Sequence, residues 1–316
     1  MKLPDLRGLL ASVPFTGVSD QPIFDLQDRV AVVTGAGTGI GRELARLLAA
    51  RGAHVAVIDI DAAAAEAVAR DLRIRGFAVT ADVTDRAGMN AAIARVREEF
   101  GRIDVVVANA GIVPPPATIR LMDPADFDRV IAVNLTGVFN TVQPALDSVI
   151  EAGGHVVVVS SAAAFAPGMA GSPYMTSKAA VEQFGRALRV ELSAHGATAG
   201  VAYLGVVETA MTRNTLDEDE LGREVGEMLP WPLNQRITAR EAAVSIADGI
   251  IRRSPRTMAP KQWEAYALLR GTVNVVLDDR LTRDANLHSL LDRLEQRLSA
   301  ARDTVVRPLI RGTSRR

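Results

Sequence analysis

The 316-residue chain has no cysteine, which removes disulfides, thiolate nucleophiles and Cys-ligated metals in one step. A chain of this kind suits a reducing compartment, and a cytoplasmic location is expected. Its four histidines, His54, His155, His195 and His288, are scattered without an H-x-x-x-H or similar spacing. Each therefore reads as an ordinary surface or strand-end residue, and no metal site is expected. The longest apolar stretches are interrupted by Arg, Asp, Ser or Pro, so no run reaches the roughly 18 residues of a spanning helix and no stable membrane insertion is expected. Net charge is −1, with acidic and basic residues intermixed. The one-signed field of a nucleic-acid binder is missing, which leaves small molecules as the expected partners.

What is present is a core-forming composition, 48% hydrophobic, with no Pro/Ser-rich or single-sign tract to split it. One domain with appendages is the simplest organisation. Residues 1–27 read as an N-terminal arm. Lys2, Arg7 and Leu9-Leu10 weakly resemble a signal peptide, but Pro4, Asp5 and Pro14 interrupt it and favour a packing arm. From residue 28 to about 260, β-branched apolar runs alternate with helical patterns. Strands are expected at 30–33, 54–60, 77–81, 105–107, 155–160 and 200–204. Helices are expected at 40–51, 61–73, 86–100, 174–195 and over most of 123–150. This alternation predicts an α/β fold, a doubly wound parallel sheet of Rossmann type whose ligands sit at the carboxyl ends of the strands. Residues 261–316 form a helical extension in which Leu287, Leu290, Leu291, Leu294 and Leu298 mark one apolar stripe. The stripe packs on the domain or on a second subunit, or else belongs to a basic amphipathic helix at an anionic membrane surface.

The first strand runs into Thr34-Gly35-Ala36-Gly37-Thr38-Gly39-Ile40-Gly41 and then a helix. In that context glycines bring backbone amides against a pyrophosphate. The G-x-G-x-x-G spacing is not met from Gly35, whereas G-x-x-x-G-x-G is met by Gly35, Gly39 and Gly41. Asp59 ends the second strand, where a carboxylate accepts from adenosine ribose hydroxyls and repels a 2′-phosphate, so NAD is expected. Arg42 directly follows the glycines and keeps NADP possible. Asp82 and Val83 follow the third strand at a cleft edge suited to adenine.

Only three tyrosines and three lysines (Lys2, Lys178, Lys261) occur, in a chain whose Lys and Arg total 36. Tyr174 and Lys178 nevertheless stand four residues apart in a helical pattern, on one helix face. A compact ammonium beside a phenol is the start of an acid/base site. A free phenol titrates at about 10, and working near pH 7 requires roughly 4 kcal/mol of preference for the phenolate. Burial acts the wrong way, so a nearby cation has to supply it.

Together with Asn109-Ala110-Gly111 after the fourth strand, Asn134 in a helix and Ser161 after the fifth strand, these motifs resemble the short-chain dehydrogenase/reductase family over residues 28 to 260. The resemblance implies that Tyr174 is the acid/base and that Ser161 holds and polarises the substrate oxygen. It implies further that Lys178 binds nicotinamide ribose and that Asn134 anchors a relay water. The cofactor set it implies is Gly35, Thr38, Gly39, Ile40, Gly41, Asp59, Asp82, Val83, Asn109, Ala110, Gly111, Tyr174, Lys178, Val207 and Thr209. Two departures stand out: Leu204-Gly205 replaces the family's Pro-Gly, and Ala108 replaces the first Asn of Asn-Asn-Ala-Gly. The family also implies a homo-oligomer, and a lid over the substrate at about 205–233. Here the lid segment carries the charged patch Asp217–Glu220 and the apolar residues Met211, Met228, Leu229 and Trp231. The activity implied is NAD-dependent interconversion of a secondary alcohol and a ketone, on an apolar substrate. The alternatives are a non-catalytic dinucleotide sensor or scaffold, and an NAD-dependent epimerase or dehydratase.

Overall fold

The computed structural model describes residues 23–165, 167–228 and 234–312. Seven parallel strands form one sheet in the order β3-β2-β1-β4-β5-β6-β9. They are β1 Val30–Thr34, β2 His54–Asp59, β3 Gly76–Thr80, β4 Val105–Ala108, β5 His155–Ser161, β6 Thr198–Leu204 and β9 Arg256–Ala259. A separate parallel pair joins β7 Val206–Glu208 to β8 Arg236–Thr238. Strand order reverses between β1 and β4, which opens a crevice at their carboxyl ends. Val-rich β1, β4 and β5 are buried along their whole length, as expected of strands covered on both faces.

The six strands read from the sequence are all present. The seventh, β9, lies beyond Pro255 and pairs with β6 from Val201↔Arg256 to Leu204↔Ala259. The helix expected over 123–150 is broken into Pro124–Ile131, a π turn Ala132–Thr136, Gly137–Val142, a 3₁₀ turn and Leu146–Glu151. The N-terminal arm up to residue 22 lies outside the described residues, as do Leu229 and Trp231 of the lid; of Met228 only the backbone is described.

Asp104, fully buried just before β4, accepts from Arg29 (2.7 Å), Arg102 (2.8 and 2.5 Å) and the Val30 amide (3.0 Å), which fastens β1 to β4. His155, expected at a strand end or surface, does open β5 but is fully buried. Its Nδ1 lies 2.8 Å from Thr198 Oγ1 and its Nε2 has no partner. Burial, aided by Arg253 and Arg189, pushes its pKa down to about 3. Between pH 6.5 and about 3 the unfolded chain takes up a proton here that the folded chain refuses, so stability falls as pH falls through that window. His155→Gln should therefore lose about 3 kcal/mol less stability than the parent between pH 6.5 and 4. Urea unfolding at the two pH values checks this, and parallel losses would contradict it.

The C-terminal extension comprises two helices, Trp263–Leu281 and Ala285–Gly312. Leu287, Leu290 and Leu294 are buried, so the stripe packs against the chain's own domain. Among the described residues no helix is long and apolar enough to cross a membrane.

Candidate functional site

The turn between β1 and the helix Gly39–Ala50 is shaped by close approach. Gly35 and Gly39 have φ of +62° and +51°, where side chains are strained. A Cβ on Gly35 would lie 2.9 Å from Ala110 Cα, and one on Gly41 2.1 Å from the Gly35 carbonyl oxygen. Thr34 and Asn109 lock the turn to β4. The Asn109 side chain donates to Thr34 O (2.8 Å) and Gly35 O (3.2 Å), while Thr34 Oγ1 accepts from the amides of Asn109 and Ala110. Asn109, expected against a cofactor, thus spends its side chain on holding the turn. Thr34 was not singled out in the sequence, since a threonine at a strand end carries no pattern of its own.

The following helix has extended Thr38 as its N-cap, no side-chain cap bond and no acidic residue in its first turn. Its first amides and the positive end of its dipole are therefore open to an anion. Asp59 Oδ2 accepts the Gly37 amide at 2.8 Å and Oδ1 the Asp61 amide at 3.0 Å. The carboxylate is fixed at the rim of the turn with lone pairs to spare for hydroxyl donors. Arg42 reaches Glu43 at 3.5 Å. Asp82 caps its own turn through the Thr84 amide (2.8 Å), and Val83 is buried against Gly137. Ile40 is half-buried, and buried Val207 leads to Thr209, whose methyl would meet a Cβ on Gly39 at 3.7 Å. Thr209 and Thr212 form a reciprocal capping box at the start of the segment expected to be a lid. The cradle fits a dinucleotide: open helix amides, glycines where Cβ atoms would collide, and an acid at the strand end.

Ser161 ends β5. Its hydroxyl donates to Leu204 O (3.0 Å) and accepts from the Ala163 amide (3.1 Å). Tyr174 and Lys178 share one face of the helix Ser172–Ser193, with Nζ 5.7 Å from the Tyr174 ring centroid. Burial raises the Tyr174 pKa above its ordinary 10, and the Ser161 hydroxyl opposes that rise. Asn134 sits in the π turn, a distortion found often at functional sites. Its side chain accepts from the Ile112 amide (2.8 Å) and donates to Ile112 O (2.9 Å) and Ser177 Oγ (3.1 Å). Gly111 runs beside it, where a Cβ would lie 3.4 Å from both Asn134 Oδ1 and Lys178 Nζ. The structure therefore brings Ser161, Tyr174, Lys178, Asn134 and Gly111 together, and adds Ser177 as a support that no sequence pattern marked.

Lys178 is almost fully buried; Nζ donates to Val159 O at 2.9 Å, and burial pushes its pKa down to about 8. Its unfolded value is near 10.5. Between these values the unfolded chain holds more protons than the folded one, so stability rises with pH from 8 to 10.5. Below pH 8 the buried ammonium costs about 3 kcal/mol at most, against about 1–2 kcal/mol for the carbonyl it satisfies. Lys178→Met should accordingly stabilise the cofactor-free protein by about 1–2 kcal/mol at pH 7, with the gain shrinking by pH 10. Urea midpoints at both pH values test this, and destabilisation at pH 7 would contradict it.

A cavity of about 530 Å³ lies between the loop after β4 and the C-terminal helix, with Pro115, Pro116, Ala117, Leu121 and Leu298 among its walls.

The chain is similar to known proteins over most of the sheet. It is 36% identical over 257 residues to a probable oxidoreductase, EphD, of Mycobacterium tuberculosis, a match covering 77% of this chain and 43% of that protein. The chain thus spans less than half the length of that relative. It is 38% identical over 217 residues to 2-(R)-hydroxypropyl-CoM dehydrogenase of Xanthobacter autotrophicus, covering 64% of this chain and 84% of the relative. Among solved structures, 3-ketoacyl-(acyl-carrier-protein) reductase from Brucella melitensis, complexed with NADH, superposes with a TM-score of 0.66 at 27% identity. That match covers 74% of this chain and 97% of the other. The short chain dehydrogenase family model matches residues 29–220, well over half of the chain, and the protein belongs to that family.

Proposed function

We propose that the protein is an NAD-dependent oxidoreductase interconverting a secondary alcohol and a ketone, with Tyr174 as the acid/base. The observation that carries this reading is the grouping of Ser161, Tyr174 and Lys178 at the carboxyl end of β5, beside a glycine cradle and Asp59. The NADH bound by the Brucella melitensis reductase supports the same cofactor here.

Bound NAD supplies the hydride acceptor for alcohol oxidation. Tyr174 takes the proton of the substrate hydroxyl. Ser161 turns its hydroxyl from Leu204 O toward the substrate oxygen, where charge develops. Lys178 has one N–H on Val159 O, which leaves two for the nicotinamide ribose, and its charge favours the phenolate. The Asn134 side-chain amide is committed to Ile112 and Ser177, so a relay water at Asn134 would have to be held through its peptide group. Asp59 selects NAD by accepting from ribose hydroxyls and repelling a 2′-phosphate. Arg42, held toward Glu43, is a cation beside the turn that would admit NADP.

A panel of linear and cyclic secondary alcohols offered with NAD, read by NADH absorbance, tests the reading. Turnover that scales with enzyme supports it. Conversion with no net NADH, cofactor remaining bound, would replace it with the epimerase class. Assembly as a homo-oligomer is part of the proposal, and light scattering reads it directly.

A further inference from the structure

The helix Ala285–Gly312 is bound on two sides by segments that leave the sheet at different strands. On one side, Arg293 Nη1 donates to Glu224 (2.8 Å) and Arg297 to Asp219 (2.8 Å), both in the segment that follows β6 and Thr209. On the other, Glu295 accepts from Thr118 Oγ1 (2.6 Å) and from Arg120, and Arg302 donates to Leu121 O (2.8 Å), all in the loop that follows β4. In the sheet, β4 and β6 are the two neighbours of β5. A helix fastened to both outgoing segments therefore joins the two loops that flank the carboxyl end of β5, the strand that Ser161 ends. The β4 loop also touches the Tyr174 region directly, because the Ala117 amide donates to Ala170 O at 2.9 Å and Gly171 O accepts from the Tyr174 amide.

The side-chain pattern fits this bridge. Arg293 and Arg297 are one turn apart and face the lid, Glu295 and Arg302 face the loop, and Leu290 and Leu294 of the same helix are buried. The lid helix Glu220–Met228 carries the complementary acids, with Asp219 just before it. Exposed single ion pairs are weak, but several from one rigid helix to two separate segments act together.

We propose that this helix is a fixed crossbar over the substrate mouth, and that Arg293, Arg297 and Glu295 are positioning residues that set the separation of lid and β4 loop. They thereby limit which substrates enter. The proposal rests on the oxidoreductase reading for the identity of the mouth, but its test does not need turnover.

The experiment is amide hydrogen exchange on the full chain, with Arg293→Glu, Glu224→Arg and the charge-swapped double variant. Arg293→Glu should raise exchange in residues 210–228 about threefold to tenfold, Glu224→Arg should do the same, and the double variant should return to the parent rate. Arg297→Ala should give a smaller rise in the same segment. NADH affinity should stay within about twofold, and KM for the best alcohol in the panel should rise with kcat little changed. Unchanged exchange in both single variants, or no recovery in the swap, overturns the crossbar. Failure of the parent to bind NADH would instead overturn the oxidoreductase reading, leaving the exchange result to stand by itself.

Discussion

Tyr174→Phe should lower turnover by about 10³-fold while NADH affinity stays within about twofold. The substitution removes one oxygen and keeps the ring, so the contact between the ring and the Lys178 ammonium, 5.7 Å from its centroid, is retained. What is lost is the phenol beside Ser161, and with it the group proposed to exchange a proton with the substrate oxygen. The reason for a large effect is that the alternatives are poor. Ser161 is engaged with Leu204 O and the Ala163 amide, Lys178 with Val159 O, and Asn134 with Ile112 and Ser177. In the cofactor-free protein burial holds the Tyr174 pKa above 10, so the phenol is a proton donor until a cation beside it shifts the balance. The pH profile of alcohol oxidation should therefore rise toward the alkaline side in the parent and flatten in Tyr174→Phe. Turnover within tenfold of the parent would show that another group moves the proton.

Gly41→Ala should weaken NADH binding by about 10²-fold and cost about 1–3 kcal/mol of stability. The added Cβ would stand 2.1 Å from Gly35 O and 2.8 Å from Asn109 Nδ2. Neither neighbour can yield cheaply: Gly35 is in a left-handed turn against Ala110, and Asn109 holds that turn to β4 through Thr34 O. The helix Gly39–Ala50 would have to lift away, carrying its open amides off the pyrophosphate position. Gly271→Ala is the matched control, because a Cβ there meets nothing within 4 Å and alanine favours a helix interior over glycine. Fluorescence titration and urea unfolding of the two variants read both effects, and equal behaviour would remove the steric account of the turn.

The sheet core was legible because its strands are Val-rich runs punctuated by glycine turns and Asp59, Asp82 and Ser161 at their ends. The strand β9 was not, since Arg256-Thr257-Met258-Ala259 is four residues at the sheet edge with one end exposed, and a short mixed segment has no clear period. β7 and β8 are three residues each and exist only by pairing with one another. The helix Trp263–Leu281 lies within the helical extension expected from residue 261, but its bounds had no pattern of their own: Leu268, Leu269, Val275 and Val276 are exposed, so its apolar residues do not trace a single buried stripe.

In the site, Tyr174 and Lys178 stood out because both residue types are scarce, and the glycines because of their fixed spacing. The residues that hold the site were silent. Thr34 meets Asn109 across 75 positions and Ser177 meets Asn134 across 43, and two ordinary hydroxyls so far from their partners leave no local signature. Arg293 and Arg297 were likewise hidden in an Arg-rich helix until the fold set Glu224 and Asp219 opposite them.

The glycine turn and Asp59 are proposed to form the site for NAD. The most direct measurement is a side-by-side titration of the purified protein with NADH and NADPH, followed by nicotinamide fluorescence. Saturable binding is expected, with NADH at least tenfold tighter than NADPH, since Asp59 would face the 2′-phosphate. Tighter NADPH binding would contradict Asp59 as the selecting acid and point to Arg42, and binding of neither would contradict the enzyme assignment itself.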